Sequence, residues 1–168
     1  MTQRRPPSLN SIAPELCVSQ WLNTRAPITL AGLRGKVVFI HAFQMLCAGC
    51  VMNAMPQAVR VWQHYRQSAA SGKVAVIGLH TVFEHHRVMS AEALAVYLHE
   101  FRIPFPVGVN APGENGPIPQ TMQHYETQGT PTTLLIDAEG RLRKHHFGLE
   151  SDEALLRDIE TLVLALGK

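Results

Sequence analysis

Two stretches of the chain are apolar without alternation. Val37 to Phe43 reads Val-Val-Phe-Ile-His-Ala-Phe, and Val74 to Leu79 reads Val-Ala-Val-Ile-Gly-Leu. Continuous β-branched runs of this length predict strands buried on both faces. Between them the spacing predicts a helix from about Cys47 to Ser68, with Met55, Val59, Trp62 and Tyr65 as its apolar stripe. Pro56 falls inside that helix and should kink it. Two strands joined by a helix make a parallel pair with a right-handed crossover. Ser90 predicts an N-cap, followed by a helix that buries Leu94, Tyr97, Leu98 and Phe101 and stops at Pro104. Phe105 to Val109 suits a short strand, 111–119 a proline- and glycine-rich loop, and Gln120 to Tyr125 a short helix. A third core strand runs from Thr132 to Ile136. The turn Asp137-Ala138-Glu139-Gly140 then leads into a charged return strand, Arg141 to Phe147, at a sheet edge. Ser151 caps the last helix, with Asp152 and Glu153 at its positive end and Leu155, Ile159, Leu162, Val163 and Leu166 inward. Upstream, Trp21-Leu22 and Ile28 to Leu30 read as short strands about a turn that ends at Gly35-Lys36. The pattern gives an extended segment over residues 1–17 and one domain over 18–168.

Composition narrows the function class. The 168 residues suit one domain with a core of its own. A net charge of +2 gives no electrostatic case for nucleic acid or a membrane surface. No apolar run is long enough for a transmembrane helix. Arg4 and Arg5 are followed by Pro6 and Pro7 where the apolar core of a signal peptide would stand, so a cytoplasmic location is expected. Three cysteines leave at least one outside any intramolecular pairing, so the chain does not rest on a disulfide framework.

The spacing of two of those cysteines carries the chemistry. Cys47-Ala48-Gly49-Cys50 follows a buried strand and opens a helix. Unpaired backbone N–H groups and the helix dipole at that point favour thiolate over thiol. The thiolate is the attacking species in disulfide exchange, and the two-residue spacing lets Cys50 reach the mixed disulfide and resolve it. The same spacing is half of a zinc site, but no second C-x-x-C or H-x(3–5)-H appears cleanly; His80 with His85 and His86 only approaches one. The second signal is Thr130-Pro131. A proline heading a buried strand cannot donate to the ladder, and a cis bond would explain it. Packed against the cysteines, it would bar metal from the dithiol and leave the Thr130 backbone open to an extended substrate.

These residues resemble the thioredoxin-like superfamily, specifically its TlpA-like and redoxin group of thiol-disulfide oxidoreductases. The resemblance covers about residues 18–166. It includes Leu33-Arg34-Gly35-Lys36-Val37-Val38, the C-A-G-C helix start, Pro56, Phe105-Pro106-Val107, Gly129-Thr130-Pro131 with the strand after it, Gly140-Arg141 and Phe147-Gly148. It implies an α/β fold with a central mixed sheet flanked by helices, an N-terminal β-hairpin and a central α/β insertion. It also implies Cys47 as nucleophile, Cys50 as resolving thiol and a cis Pro131 facing them. No cofactor or metal is called for beyond the Cys47–Cys50 couple. The partners implied are disulfide-bearing proteins or small thiols and disulfides, with neither nucleic acid nor membrane. The electron donor is left open.

The chain departs from the family pattern at Leu46, where tryptophan is usual, and at the Ala-Gly dipeptide. It carries one residue more than usual between Cys50 and Pro56, and lacks an acid in the first stretch of the helix. His41 stands where thioredoxins carry a buried acid, six residues before the first cysteine. It is the candidate proton relay to Cys50. His80 and Glu84, beyond the carboxyl end of the second core strand, are candidates for substrate contact or thiol tuning. His145 and His146 are expected at the surface, and Cys17 is expected to be a buried thiol outside the pair. Phe43, Met45, Leu46, Val51 and Met52 surround the thiols, and those not packed inward would form an apolar rim for a polypeptide. Two alternatives stay open: a peroxiredoxin-like thiol peroxidase, and a Cys/His metal-binding or copper-delivery module.

Overall fold

The buried run around Val37 becomes the centre of a six-stranded mixed sheet. The computed structural model describes residues 6–167. The extended reading of residues 1–5 and the domain's last residue, 168, lie outside the described residues. In chain order the strands are β1 (Val18–Leu22), β2 (Val37–Phe43), β3 (Val74–His80), β4 (Val107–Asn110), β5 (Thr132–Ile136) and β6 (Leu142–Phe147). The helices are α1 (Met55–Gln67), α2 (Ala91–Glu100), α3 (Gln120–Tyr125) and α4 (Asp152–Ala165). The sheet order is β1-β4-β3-β2-β5-β6. β2, β3 and β4 run parallel, whereas β1 on β4, β5 on β2 and β6 on β5 are antiparallel. All seven residues of β2 are buried, as its lack of alternation requires.

Alternate β2 residues feed two cores. Val37, Phe39 and Phe43 join Cys50 and the inner faces of α1, α2 and α4. Val38, Ile40 and Ala42 join Ile77, Leu79, Leu134, Ile136 and Tyr125 on the opposite face. α1 and α2 share one face because both parallel crossovers, β2-α1-β3 and β3-α2-β4, are right-handed and step in the same direction, and α4 packs into the same core. Residues 10–13 lie along β6: Asn10 N–H donates to Leu142 O, Ala13 N–H to Gly140 O, and Ile12 bridges Arg141.

The N-terminal hairpin does not form. β1 is a strand, but its partner is β4, and residues 26–30 make no strand before a short 3₁₀ turn at Ala31–Leu33. The insertion offers β1 an open parallel edge, and a longer ladder there outcompetes a local two-stranded hairpin. Glu15 holds the turn instead, accepting from the Leu30 and Ala31 N–H groups.

The helix after the C-x-x-C pair also departs from a simple kink. A π-helical turn spans Cys50–Ala54, and α1 proper starts at Met55 with Pro56 in its first turn. Pro56 has no N–H to give to the preceding turn, and a π-turn is the form a helix takes to absorb one extra residue. The long Cys50-to-Pro56 spacing is thus accommodated before the proline. The buried face of α1 shifts accordingly to Met55, Ala58, Val61 and Tyr65, with Gln57 buried as well, while Val59 and Trp62 sit half-buried.

α2 starts where Ser90 predicts it, with the Ser90 hydroxyl accepting from Ala93 N–H. It buries Leu94, Tyr97 and Leu98. Phe101 is exposed because the helix ends before it. Its ring leans on Tyr97 at a centroid distance of 4.6 Å, and Ile103 fills the core position.

Candidate functional site

The C-x-x-C pair lies beyond the carboxyl end of β2, where the chain turns from strand into helix. The turn is closed by Cys47 N–H donating to Gln44 O at 3.0 Å. Cys47 is the first residue of the helical ladder: its carbonyl accepts from Val51 N–H at 2.9 Å, and its Sγ accepts from Cys50 N–H at 3.4 Å. A sulfur here does the work of a capping oxygen, holding one of the orphan N–H groups of the first turn. A thiolate accepts such a bond better than a thiol. As a thiol, Cys47 instead points its S–H at Thr130 O, 3.6 Å away.

Its partner is set apart by burial. Cys47 is half-buried, whereas Cys50 is wholly enclosed among core residues. Enclosure, reinforced by the Cys47 side chain, pushes the Cys50 thiol up to about 12, against the pull of the Gln44 main chain and the Thr130 side chain. One sulfur is partly accessible, and burial favours the protonated form of the other.

The Thr130–Pro131 peptide is cis. Thr132 Oγ1 donates to Gly129 O at 2.7 Å, and Gly148 N–H donates to Pro131 O at 2.9 Å, so both sides of the proline are tied into the β5–β6 end of the sheet. Pro131 packs over the C-x-x-C turn: a Cβ added to Gly49 would meet its Cδ at 3.8 Å. The four residues expected to act together, Cys47, Cys50, Thr130 and Pro131, are together.

The two candidate histidines lie deeper. His41 pairs in register with Gly78 of β3 and Thr133 of β5. Its ring stacks on Phe43 with centroids 5.4 Å apart, and its buried Nε2 has no hydrogen-bond partner. Burial lowers it to about 3, so the imidazole is neutral at ordinary pH. His80 is only 1% exposed and cannot meet a substrate from a loop. It ends β3 on the helix-bearing face, and its Nε2 accepts from Met45 N–H at 3.3 Å. Burial lowers it to about 4. Glu84 is exposed, and its carboxylate accepts from Gln44 Nε2 at 3.3 Å. Gln44, almost fully buried, is the residue the sequence pattern did not flag as functional; an amide inside an apolar strand end was the available signal.

Of the apolar residues near the thiols, Phe43 and Met45 are buried and Val51 is half-buried. Leu46 is 60% exposed, Met52 75% and Leu149 53%. A cleft of about 430 Å³ runs from Met52 and Pro56 across to Leu149 and Asp152, with neither cysteine in its lining. Gln57 bridges its floor, donating to Glu150 O and Asp152 Oδ1. Cys17 is half-buried and far from the pair, with Sγ 3.6 Å from His124 Nδ1. His145 and His146 are half-buried rather than fully exposed. Among the described residues no group of three or more His, Cys, Asp or Glu side chains is placed to hold a metal.

No family model and no curated protein matches the chain. Solved structures do. A thioredoxin-like superfamily protein is 52% identical over 93% of this chain and 97% of its own, with a TM-score of 0.84. The chain belongs to the thioredoxin-like superfamily, among its thiol-disulfide oxidoreductases. A thiol-disulfide isomerase from Corynebacterium glutamicum is 44% identical over 92% of this chain and 96% of its own, with a TM-score of 0.83. A thiol:disulfide interchange protein from Chlorobium tepidum, at 18% identity and a TM-score of 0.64 over 95% of this chain and 97% of its own, shares the fold. The superfamily's mixed sheet is present in this chain with an inserted α2–β4 unit that β1 completes.

Proposed function

We propose that this thioredoxin-like chain exchanges disulfides through Cys47 and Cys50, with Cys47 as nucleophile. The unequal burial of the two sulfurs carries this reading. The Cys47 thiolate attacks one sulfur of a substrate disulfide. A Cys47–substrate disulfide forms, and the other substrate sulfur leaves as a thiolate that takes up a proton. Cys50 then gives up its proton and attacks Cys47 Sγ. The Cys47–Cys50 disulfide forms and the second substrate thiol leaves. The dithiol has lost two electrons and two protons, and the substrate disulfide has gained both. Run backwards, the same steps oxidise a dithiol. His41, with its unpartnered Nε2, is the candidate relay for the Cys50 proton. Thr130 and Pro131 form the floor on which an extended substrate would lie, and Leu46, Met52 and Leu149 supply an apolar rim. The substrate class that fits is a disulfide-bearing polypeptide.

The test is reduction of insulin disulfides by the pre-reduced protein, with hydrogen peroxide consumption in the presence of a thiol donor measured alongside. Insulin reduction lost in Cys47→Ser is the expected result. Intact exchange in that variant overturns the mechanism, and peroxide consumption without insulin reduction replaces it with a thiol peroxidase.

A further inference from the structure

The turn that presents Cys47 is not held by its own residues alone. The Gln44 side chain and the Met45 N–H are tied to the last residue of β3 and the segment after it. The Gln44 side-chain Oε1 accepts from Phe83 N–H at 3.2 Å, and its Nε2 donates to Glu84 at 3.3 Å. Met45 N–H donates to His80 Nε2 at 3.3 Å. One residue earlier, Phe43 O accepts from Thr81 N–H at 2.8 Å.

We propose that His80 and Gln44 form a positioning clamp, by which the segment 80–84 fixes the turn that aims Cys47 at Cys50 N–H and Thr130 O. The proposal rests on the exchange reaction above for its functional meaning. Its physical basis is the odd state of His80. To accept from Met45, Nε2 must carry the lone pair, which puts the proton on Nδ1. That Nδ1 is buried with no hydrogen-bond partner. A leucine would fill the site without an orphaned donor, and an orphaned donor costs stability. What imidazole supplies and leucine cannot is the acceptor for Met45 N–H. A group kept at a cost to stability beside a reactive turn is explained by what it holds in place. The surroundings keep it neutral: Phe43 packs on its ring at 5.3 Å, with His41 stacked and Tyr97 tilted against that same phenyl. Cys50 is protonated, and the Glu84 carboxylate faces Gln44 rather than the imidazole.

Loosening the clamp frees Cys47 Sγ from its two partners without altering the rim that meets substrate. His80→Leu should therefore lower kcat for disulfide reduction and the rate of Cys47 alkylation by iodoacetamide, each about tenfold, on the scale of one lost buried hydrogen bond. KM should stay unchanged. His80→Gln, whose Oε1 can accept from Met45, should restore both to within about threefold of wild type. In the unmodified protein, ¹⁵N-histidine NMR should show the Nδ1–H tautomer at His80, and hydrogen exchange should show a protected Met45 amide. The opposite tautomer, an unprotected amide, a His80→Leu protein that alkylates at the wild-type rate, or a folded His80→Gln protein that fails to rescue would each overturn the clamp. The tautomer and amide measurements decide even where a variant does not fold. A wild-type protein inactive on insulin overturns the exchange reading, while alkylation, tautomer and amide still decide the clamp.

Discussion

Cys50 lends its backbone N–H to Cys47 Sγ across 3.4 Å. In the proposed exchange the second cysteine supports the first twice, as a donor while both are reduced and as a nucleophile once Cys47 is joined to substrate. The two roles use different atoms, so a serine at position 50 keeps the first and loses the second. Cys50→Ser should still attack and then stall, accumulating a Cys47–substrate disulfide visible by mass spectrometry without reductant. Cys47→Ser should accumulate none. A Cys50→Ser protein that turns over at the wild-type rate would show that resolution comes from elsewhere.

Stability should fall in acid, with buried histidine as one cause. His41 titrates near 3 in the folded chain and near 6.5 when unfolded, because burial excludes its charged form. A folded value below the unfolded one gives stability that is present above pH 6.5 and lost as pH drops toward 3. His80, lowered to about 4, has the same sign over a narrower window. Between pH 6.5 and 4.5 the loss from His41 should reach about 2–3 kcal/mol. Urea unfolding of wild type and His41→Leu at several pH values checks this. The variant should show the shallower slope, and equal slopes would mean that His41 charges without penalty in the fold.

The same variant tests the relay. With leucine at position 41, turnover should slow and its pH profile should change, as expected when a proton-transfer partner of Cys50 is lost. A slower enzyme with the wild-type pH profile would leave His41 a packing residue only.

Glycine is required at one position beneath the site and dispensable at another. A Cβ on Gly78 would meet Val107 Cγ2 at 2.9 Å, Phe43 Cε1 at 3.2 Å and Phe105 Cε2 at 3.4 Å, all in the core. Gly78→Ala should cost about 1–3 kcal/mol by overpacking, read as a lower thermal midpoint. Gly49 has helical dihedrals, φ −61° and ψ −36°, and a Cβ there makes only an ordinary contact with Pro131. Gly49→Ala should fold at least as stably as wild type, and the reverse order of the two variants would contradict the packing described.

The exposed rim should matter to polypeptides and not to small disulfides. Burying one Met or Leu side chain contributes about 1.5–3 kcal/mol, on the order of tenfold or more in affinity. Met52→Asp and Leu149→Asp should raise KM for insulin by about tenfold and leave oxidised glutathione turnover near wild type. Equal effects on both substrates would place the peptide contact elsewhere.

Much of this was legible in the chain by itself. Unalternating runs marked β2, β3 and β5, because strands buried on both faces have no solvent side to record. Ser90 and Ser151 marked helix starts through local side-chain bonds. Cys47, Cys50, Thr130 and Pro131 stood out because backbone chemistry restricts what a helix N-terminus and a strand-leading proline can be. Each of these signals is local, and local signals survive without a partner.

Only the tertiary structure decided the rest. β1 found its ladder on β4, 85 to 92 residues away in sequence at the paired positions Leu22–Val107 and Val18–Asn110, and no periodicity encodes a choice of edge. The extra residue before Pro56 became a π-turn because the helix had to reach its packing face from a fixed start at Cys47. The sequence makes His80 a candidate for substrate contact or thiol tuning and leaves Gln44 without an assignment; burial and the Met45 and Phe83 N–H groups gave them partners. Sequence fixed which sulfurs could react. Burial, which exists only once distant segments close over Cys50 and leave Cys47 half-buried, set the two sulfurs apart, and the proposed order of attack rests on that difference.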